Sequence, residues 1–187
     1  MKRVLALALM AVLIPSTLLA VVPDPGLSTT PACIRVFPNG SLNLNGQVIG
    51  NNGLPLGNNQ VRLIFAAACT GLRICPVSPP TQPTVITVTS NATGNFTFTP
   101  KVGGCCSATI SASIEADPGA VTLRVYNAVG SADNTGDLSV TLGDFVNFQA
   151  AFNTAQSCND IDGSCNGNVT LGDFVVFQAL FNTTCTP

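Results

Sequence analysis

Apolar side chains fall at every second position in short stretches from Leu42 to Tyr126. Leu42 and Leu44, then Val48, then Val61, Leu63 and Phe65 alternate with polar neighbours, and Gly50, Asn51-Asn52-Gly53 and Gly57-Asn58-Asn59 interrupt them. Residues 84–89, 95–99, 108–114 and 120–126 continue the theme with β-branched and aromatic side chains. Successive side chains of a strand point to opposite faces, so a period of two predicts half-buried strands. Short strands set between turn signals predict an antiparallel β-sandwich over residues 39–130. A stretch of that length can build one core, helped by disulfides. Ahead of it, residues 22–38 are rich in Pro, Ser and Thr and read as a linker or an extended first strand.

The period changes after residue 130. Phe145, Phe148 and Phe152 fall at i, i+3 and i+7, and so do Phe174, Phe177 and Phe181, with Val146 and Val175 beside them. That spacing places the aromatics on one stripe of each of two helices, which are expected to pack stripe to stripe. Both helices belong to an internal repeat. Val140-Thr-Leu-Gly-Asp-Phe-Val146 recurs as Val169-Thr-Leu-Gly-Asp-Phe-Val175, and Phe148-Gln-Ala as Phe177-Gln-Ala, offset by 29 residues.

Each copy follows a run of oxygen-bearing residues. Taken as twelve-residue loops, the first runs from Asp133 to Asp144 and the second from Asp162 to Asp173. Side-chain oxygens then fall at Asp133, Thr135, Asp137, Thr141 and Asp144, and at Asp162, Ser164, Asn166, Thr170 and Asp173. A tightly wound loop turns alternate side chains inward. Calcium takes about 6–8 oxygens, so backbone carbonyls of Ser139 and Asn168, with water, would complete the shell. Val140 and Val169 stand where an EF-hand-type loop places the apolar residue that pairs two loops. Gly167 supplies the sharp turn of the second loop, whereas Leu138 occupies that position in the first, where a left-handed backbone is costly. Better geometry is therefore expected in the second loop and one more carboxylate in the first. A plainer account of part of the pattern also exists. Thr141 with Asp144, and Thr170 with Asp173, fit a capping box at a helix start, which needs no metal. Capping does not account for Asp133, Asp137 and Asp162.

Charge sharpens this picture. Beyond Val21 there are five basic and nine acidic residues, a net charge of −4. From Ser131 onward there are six aspartates and no Lys or Arg. A compact unit of that charge repels itself unless cations neutralise it, and it lacks the basic patch that nucleic acid requires. At the other end, Lys2 and Arg3 precede an apolar run from Val4 to Ile14, then Pro15, Ser16 and a cleavage position near Ala20. This is the order of a secretory signal peptide over residues 1–21. The run is broken short of the roughly 20 apolar residues that span a bilayer, so no membrane anchor is expected after cleavage.

Eight cysteines remain: Cys33, Cys69, Cys75, Cys105, Cys106, Cys158, Cys165 and Cys185. An even count behind an export signal predicts disulfides. Zinc is disfavoured, because the chain has no histidine and no paired C-x-x-C motif. Pairing cannot be deduced from spacing, although Cys158 and Cys185 each follow a helix and could clasp one another. The missing histidine excludes Ser-His-Asp and Cys-His chemistry. Outside the two loops only Asp24, Glu115, Asp117 and Asp160 remain for paired-carboxylate chemistry, so no catalytic residue is assigned. Four Asn-x-Thr sequons, at Asn91, Asn95, Asn168 and Asn182, fit the glycosylation pattern.

Two resemblances follow from these residues. Gly46-Gln-Val-Ile-Gly50, Leu54-Pro-Leu-Gly57, Val61-Arg-Leu63 and Thr93-Gly-Asn-Phe-Thr-Phe98 resemble the Ig-like carboxypeptidase-regulatory and collagen-adhesin B-type repeats, which implies a secreted spacer fold and little about activity. Residues 131–187 resemble the dockerin type I module. The matching positions are Asp133, Gly136, Asp137, Val140 and Asp144, then Asp162, Asn166, Gly167, Val169 and Asp173. That resemblance implies two bound calcium ions and a docking face for a cohesin-like protein, within an extracellular assembly that can serve polysaccharide degradation. The face would comprise Leu142, Gly143, Gln149 and Ala150 with their equivalents Leu171, Gly172, Gln178 and Ala179. The expectation is thus a secreted, non-catalytic docking protein of mainly β fold with a small helical calcium module. The rivals are a self-associating surface or fibre subunit and a glycan-binding β domain.

Overall fold

A computed structural model describes residues 20–186. The expected signal segment, residues 1–21, lies almost wholly outside the described residues.

The alternating stretches become strands. They are β1 (Ile34–Arg35), β2 (Leu44–Gln47), β3 (Gln60–Phe65), β4 (Arg73–Ile74), β5 (Val85–Thr89), β6 (Asn95–Phe98), β7 (Val102–Gly103), β8 (Cys106–Ala116) and β9 (Val121–Gly130). Five form one sheet in the order β1-β9-β8-β3-β5, while β2 pairs with β6 and β4 with β7. All ladders are antiparallel except that of β1 with β9. The fold is mainly β. Alternation does its work in β3, where Val61, Leu63 and Phe65 are buried and Gln60 is exposed. Leu44, Phe96 and Phe98 from the β2–β6 ribbon join Val61, Leu63 and Ile114 of the large sheet in one buried cluster.

The segment 22–38 runs along the β part with a turn over residues 25–27. It bridges to Gly50 through Pro23 and to Gln47 through Thr29, and then supplies β1. From the end of β9 the chain passes directly into Ser131 and the acid-rich repeat.

Two helices follow, α1 (Leu142–Ala151) and α2 (Leu171–Leu180). Both stop in the same way: Asn153 and Asn182 adopt left-handed backbone just past the helix end, a conformation Asn tolerates in that role. The Phe stripes meet as the spacing predicts. Phe148 stacks on Phe177 with ring centroids 5.0 Å apart, and Phe145 reaches both Phe174 and Phe177. This second core also takes in Phe37 and Ile161, so a residue of the N-terminal segment helps bury the helices.

Four disulfides close the chain, and none is the Cys158–Cys185 clasp. Cys69–Cys106 lies within the β part. Cys33–Cys165, Cys75–Cys185 and Cys105–Cys158 each tie the β part to the helical part. The clasp fails because Cys158 and Cys185 both face the β part, where Cys105 and Cys75 stand at Cα–Cα distances of 5.4 and 5.8 Å. Among the described residues no helix is long and apolar enough to cross a membrane. Four disulfides fit a protein folded in an oxidising, extracellular compartment.

Candidate metal centre and helix face

Each helix starts on an acid cluster. Asp133, Asp137 and Asp144 bring carboxylate oxygens within 4.8 Å of one another, and so do Asp160, Asp162 and Asp173. The second set corrects the reading of the loops. Asp160, placed outside the second loop by the twelve-residue register, belongs to it. The backbone N–H of Gly167 donates to Asp160 Oδ2, just as that of Leu138, at the equivalent repeat position, donates to Asp133 Oδ2. Asp160 therefore does the work of Asp133, with the loop two residues longer. The added length carries Cys165 to its partner Cys33. Both clusters then hold three carboxylates, so the first has no surplus. The signal was present as Asp160-Ile-Asp162-Gly163, an alternate-position pair of acids next to a glycine, but the exact 29-residue repeat favoured the shorter frame.

Backbone donors fix these carboxylates. Asp133 Oδ1 accepts from the N–H of Gly136 at 2.7 Å and from the Thr135 hydroxyl at 3.2 Å. Asp144 Oδ1 accepts from the Thr135 N–H at 2.9 Å, and its Oδ2 from the Thr141 N–H at 2.8 Å. Asp173 repeats this, taking the N–H groups of Asp162 and Thr170. The capping boxes are thus real at both helices, and they share their carboxylates with the acid clusters. Among the remaining predicted positions, the hydroxyls of Thr141 and Thr170 bond to Asp144 and Asp173, and that of Ser164 to Asp160. Asn166 Oδ1 is taken by the Asn168 N–H, and Asp137 Oδ1 by the Ser139 N–H. These two side chains serve the turn of their own loops.

Leu138 has φ of +68° against +75° at Gly167, so both loops make the same left-handed turn and the first makes it with a bulky residue. Val140 and Val169 are fully buried, but they do not pair with each other. Val140 exchanges backbone bonds with Asn182 and Thr183 beyond α2, and Val169 with Asn153 and Thr154 beyond α1. The tight turns at Asn153 and Asn182 lead the chain back alongside the opposite loop, which takes up the bonds a direct pairing would need.

The electrostatics favour a hard cation. Asp133, Asp144 and Asp173 are completely buried. Burial pushes the Asp133 carboxyl up to about 6, against the N–H groups of Gly136 and Leu138 and with the charges of Asp144 and Asp137 adding to it. Burial likewise raises Asp160, reinforced by Asp173 and Asp162. Clustered oxygen-only donors, four of the six buried, could hold a metal ion, and carboxylates suit the divalent calcium or magnesium class. By contrast, Glu115 and Asp117 flank Arg62, with Asp117 at 2.9 Å, as a surface ion group.

The helix face is exposed as expected at Leu142, Gly143, Gln149, Ala150, Leu171, Gln178 and Ala179. Gly172 is half-buried, because a side chain there would overlap Asp162. Two residues not assigned to the face belong to it: Val146 and Val175 are 58% and 59% exposed, lying on the outer side of each helix. Two shallow apolar grooves of about 390 and 360 Å³ cross this face. One is lined by Leu142, Phe145, Phe174, Phe177, Gln178 and Phe181; the other by Leu171, Phe174, Phe145, Phe148, Gln149 and Phe152. The linings exchange repeat for repeat. No family model matches the chain, and a comparison with curated proteins finds no match.

Proposed function

We propose that this chain is a secreted, non-catalytic docking protein. Its two acid loops bind calcium, and the calcium-loaded helix pair presents its outer face to a cohesin-like protein partner in an extracellular or cell-surface assembly. On this reading the C-terminal part is a dockerin-like module, and the β part is an Ig-like sandwich that serves as its support. The observation that carries the proposal is the coincidence of two duplications. A cation-type acid cluster heads each helix, and the apolar face built by those helices repeats with the same residues. A face with no charged side chain suits a protein better than a sugar or a nucleic acid.

A cation that binds only the folded chain stabilises it by mass action. Calcium titration of the intact, disulfide-bonded protein should show two bound ions and a rise in melting temperature that a chelator reverses. Capture by cohesin modules should require calcium. Unchanged melting with and without chelator would remove the metal from the proposal, and failure to bind a varied cohesin set in calcium would remove the partner. The uncharged face also suits a second copy of this chain as a structural subunit. Concentration-dependent association of the purified protein, measured by sedimentation, would favour that reading.

A further inference from the structure

Both acid clusters hold three carboxylates, yet among the described residues a basic side chain hydrogen-bonds into only one of the two loops. Arg35, on β1, reaches across to the second loop. Its Nη1 donates to the Ile161 carbonyl at 2.8 Å, between Asp160 and Asp162 in sequence. A β-carbon on Gly163 would lie 3.0 Å from both Nη1 and Nη2, so the guanidinium rests on the loop backbone where only glycine leaves room. The Cys33–Cys165 disulfide holds this loop beside β1. Among the described residues only Arg62 approaches a carboxylate within 4.0 Å. Arg35 is therefore near enough to act on Asp162, Asp160 and Asp173 by charge, without binding their oxygens. No guanidinium nitrogen of the described residues occupies those oxygens. Among the described residues no Lys or Arg side chain donates a hydrogen bond to the first loop.

We propose that Arg35 is a built-in counter-charge that makes the two cation sites unequal, so that the first loop fills at lower calcium than the second. The inference rests on the calcium reading above. A fixed positive charge beside a site lowers its attraction for a dication, and a half-buried one is only partly screened by salt. The resident charge also relieves repulsion among Asp160, Asp162 and Asp173 before any ion arrives. The second loop thus receives a counter-charge from the β part, from which the first loop receives only backbone contacts.

Calcium titration of the full, disulfide-bonded chain by calorimetry tests this. The native protein should show two affinities, and Asp133→Asn should abolish the tighter one while Asp160→Asn abolishes the weaker. Arg35→Gln removes the charge while leaving a polar side chain, and should tighten the weaker site by about tenfold at low salt. Arg35→Lys keeps the charge and should leave both affinities within about threefold of native. Loss of the tighter site in Asp160→Asn would overturn the inference, and so would two unchanged affinities in Arg35→Gln, while calcium binding itself stood. Absence of any calcium binding would overturn the underlying reading and this inference together. The Asp133→Asn and Asp160→Asn arms keep the order of filling testable should Arg35→Gln fail to fold.

Discussion

Gly103, on β7, lies flat against the carboxylate of Asp133: a β-carbon at position 103 would overlap Asp133 Oδ2. The neighbouring Gly104 N–H donates to the Asp133 carbonyl at 2.8 Å. The β part is therefore one wall of the first acid loop. Gly103→Ala should displace Asp133, lower stability by about 1–3 kcal/mol and weaken calcium binding at the first loop. Gly71→Ala, whose added methyl meets only ordinary contact with the Cys105 carbonyl, is the matched control. Paired thermal melts and calcium titrations of the two variants check this.

Asp133 also sets a pH dependence. Its carboxyl is pushed up to about 6 from an ordinary value of 3.8. Without a cation the folded chain holds this proton in the window from about pH 4 to about pH 6, where the unfolded chain has released it. Metal-free stability should then fall as pH rises through that window, by on the order of 2 kcal/mol. In Asp133→Asn the slope should flatten. In calcium the trend should reverse, because protons compete with the ion below about pH 6. Melts across pH 4 to 7.5, with chelator or calcium, read both signs.

The stacked pair Phe148 and Phe177 anchors the helical core, each 1% exposed. Phe148→Ala should cost about 3–5 kcal/mol, and Phe177→Ala about the same, since the two sites are repeat equivalents. Denaturant titration of each variant measures this. Unequal losses would show that the β part supports one helix more than the other.

Val146 and Val175 stand on the outer face and pack little. Val146→Glu and Val175→Glu should each change stability by about 0.5 kcal/mol or less. The double variant should lose capture by a cohesin-like partner while keeping its calcium-dependent melting temperature. Retained capture in the double variant would move the docking surface elsewhere.

Much of this arrangement was legible in the chain. Alternation at Val61, Leu63 and Phe65 marked β3, the i, i+3, i+7 phenylalanines marked both helices, and the repeat marked the acid loops. What escaped depended on distant parts of the chain meeting. Two-residue strands such as β1, β4 and β7 show no period, because they are held by neighbours rather than by their own pattern. Asp160 was hidden by a two-residue lengthening that serves a disulfide to Cys33, a partner over a hundred residues away. The roles of Arg35 and Gly103 are properties of the contact between the two parts, which no local window contains. The direction of Val140 and Val169 likewise turned on where the chain goes after each helix.

That last crossing has a consequence for any shortened form of the protein. The first loop is strapped by Asn182 and Thr183 from the far end of the second repeat, and the second loop by Asn153 and Thr154 from the first. A stop codon ahead of residue 182 would leave every residue of the first loop in place and still unfasten it. Neither half is a spare of the other; the duplication yields one indivisible object.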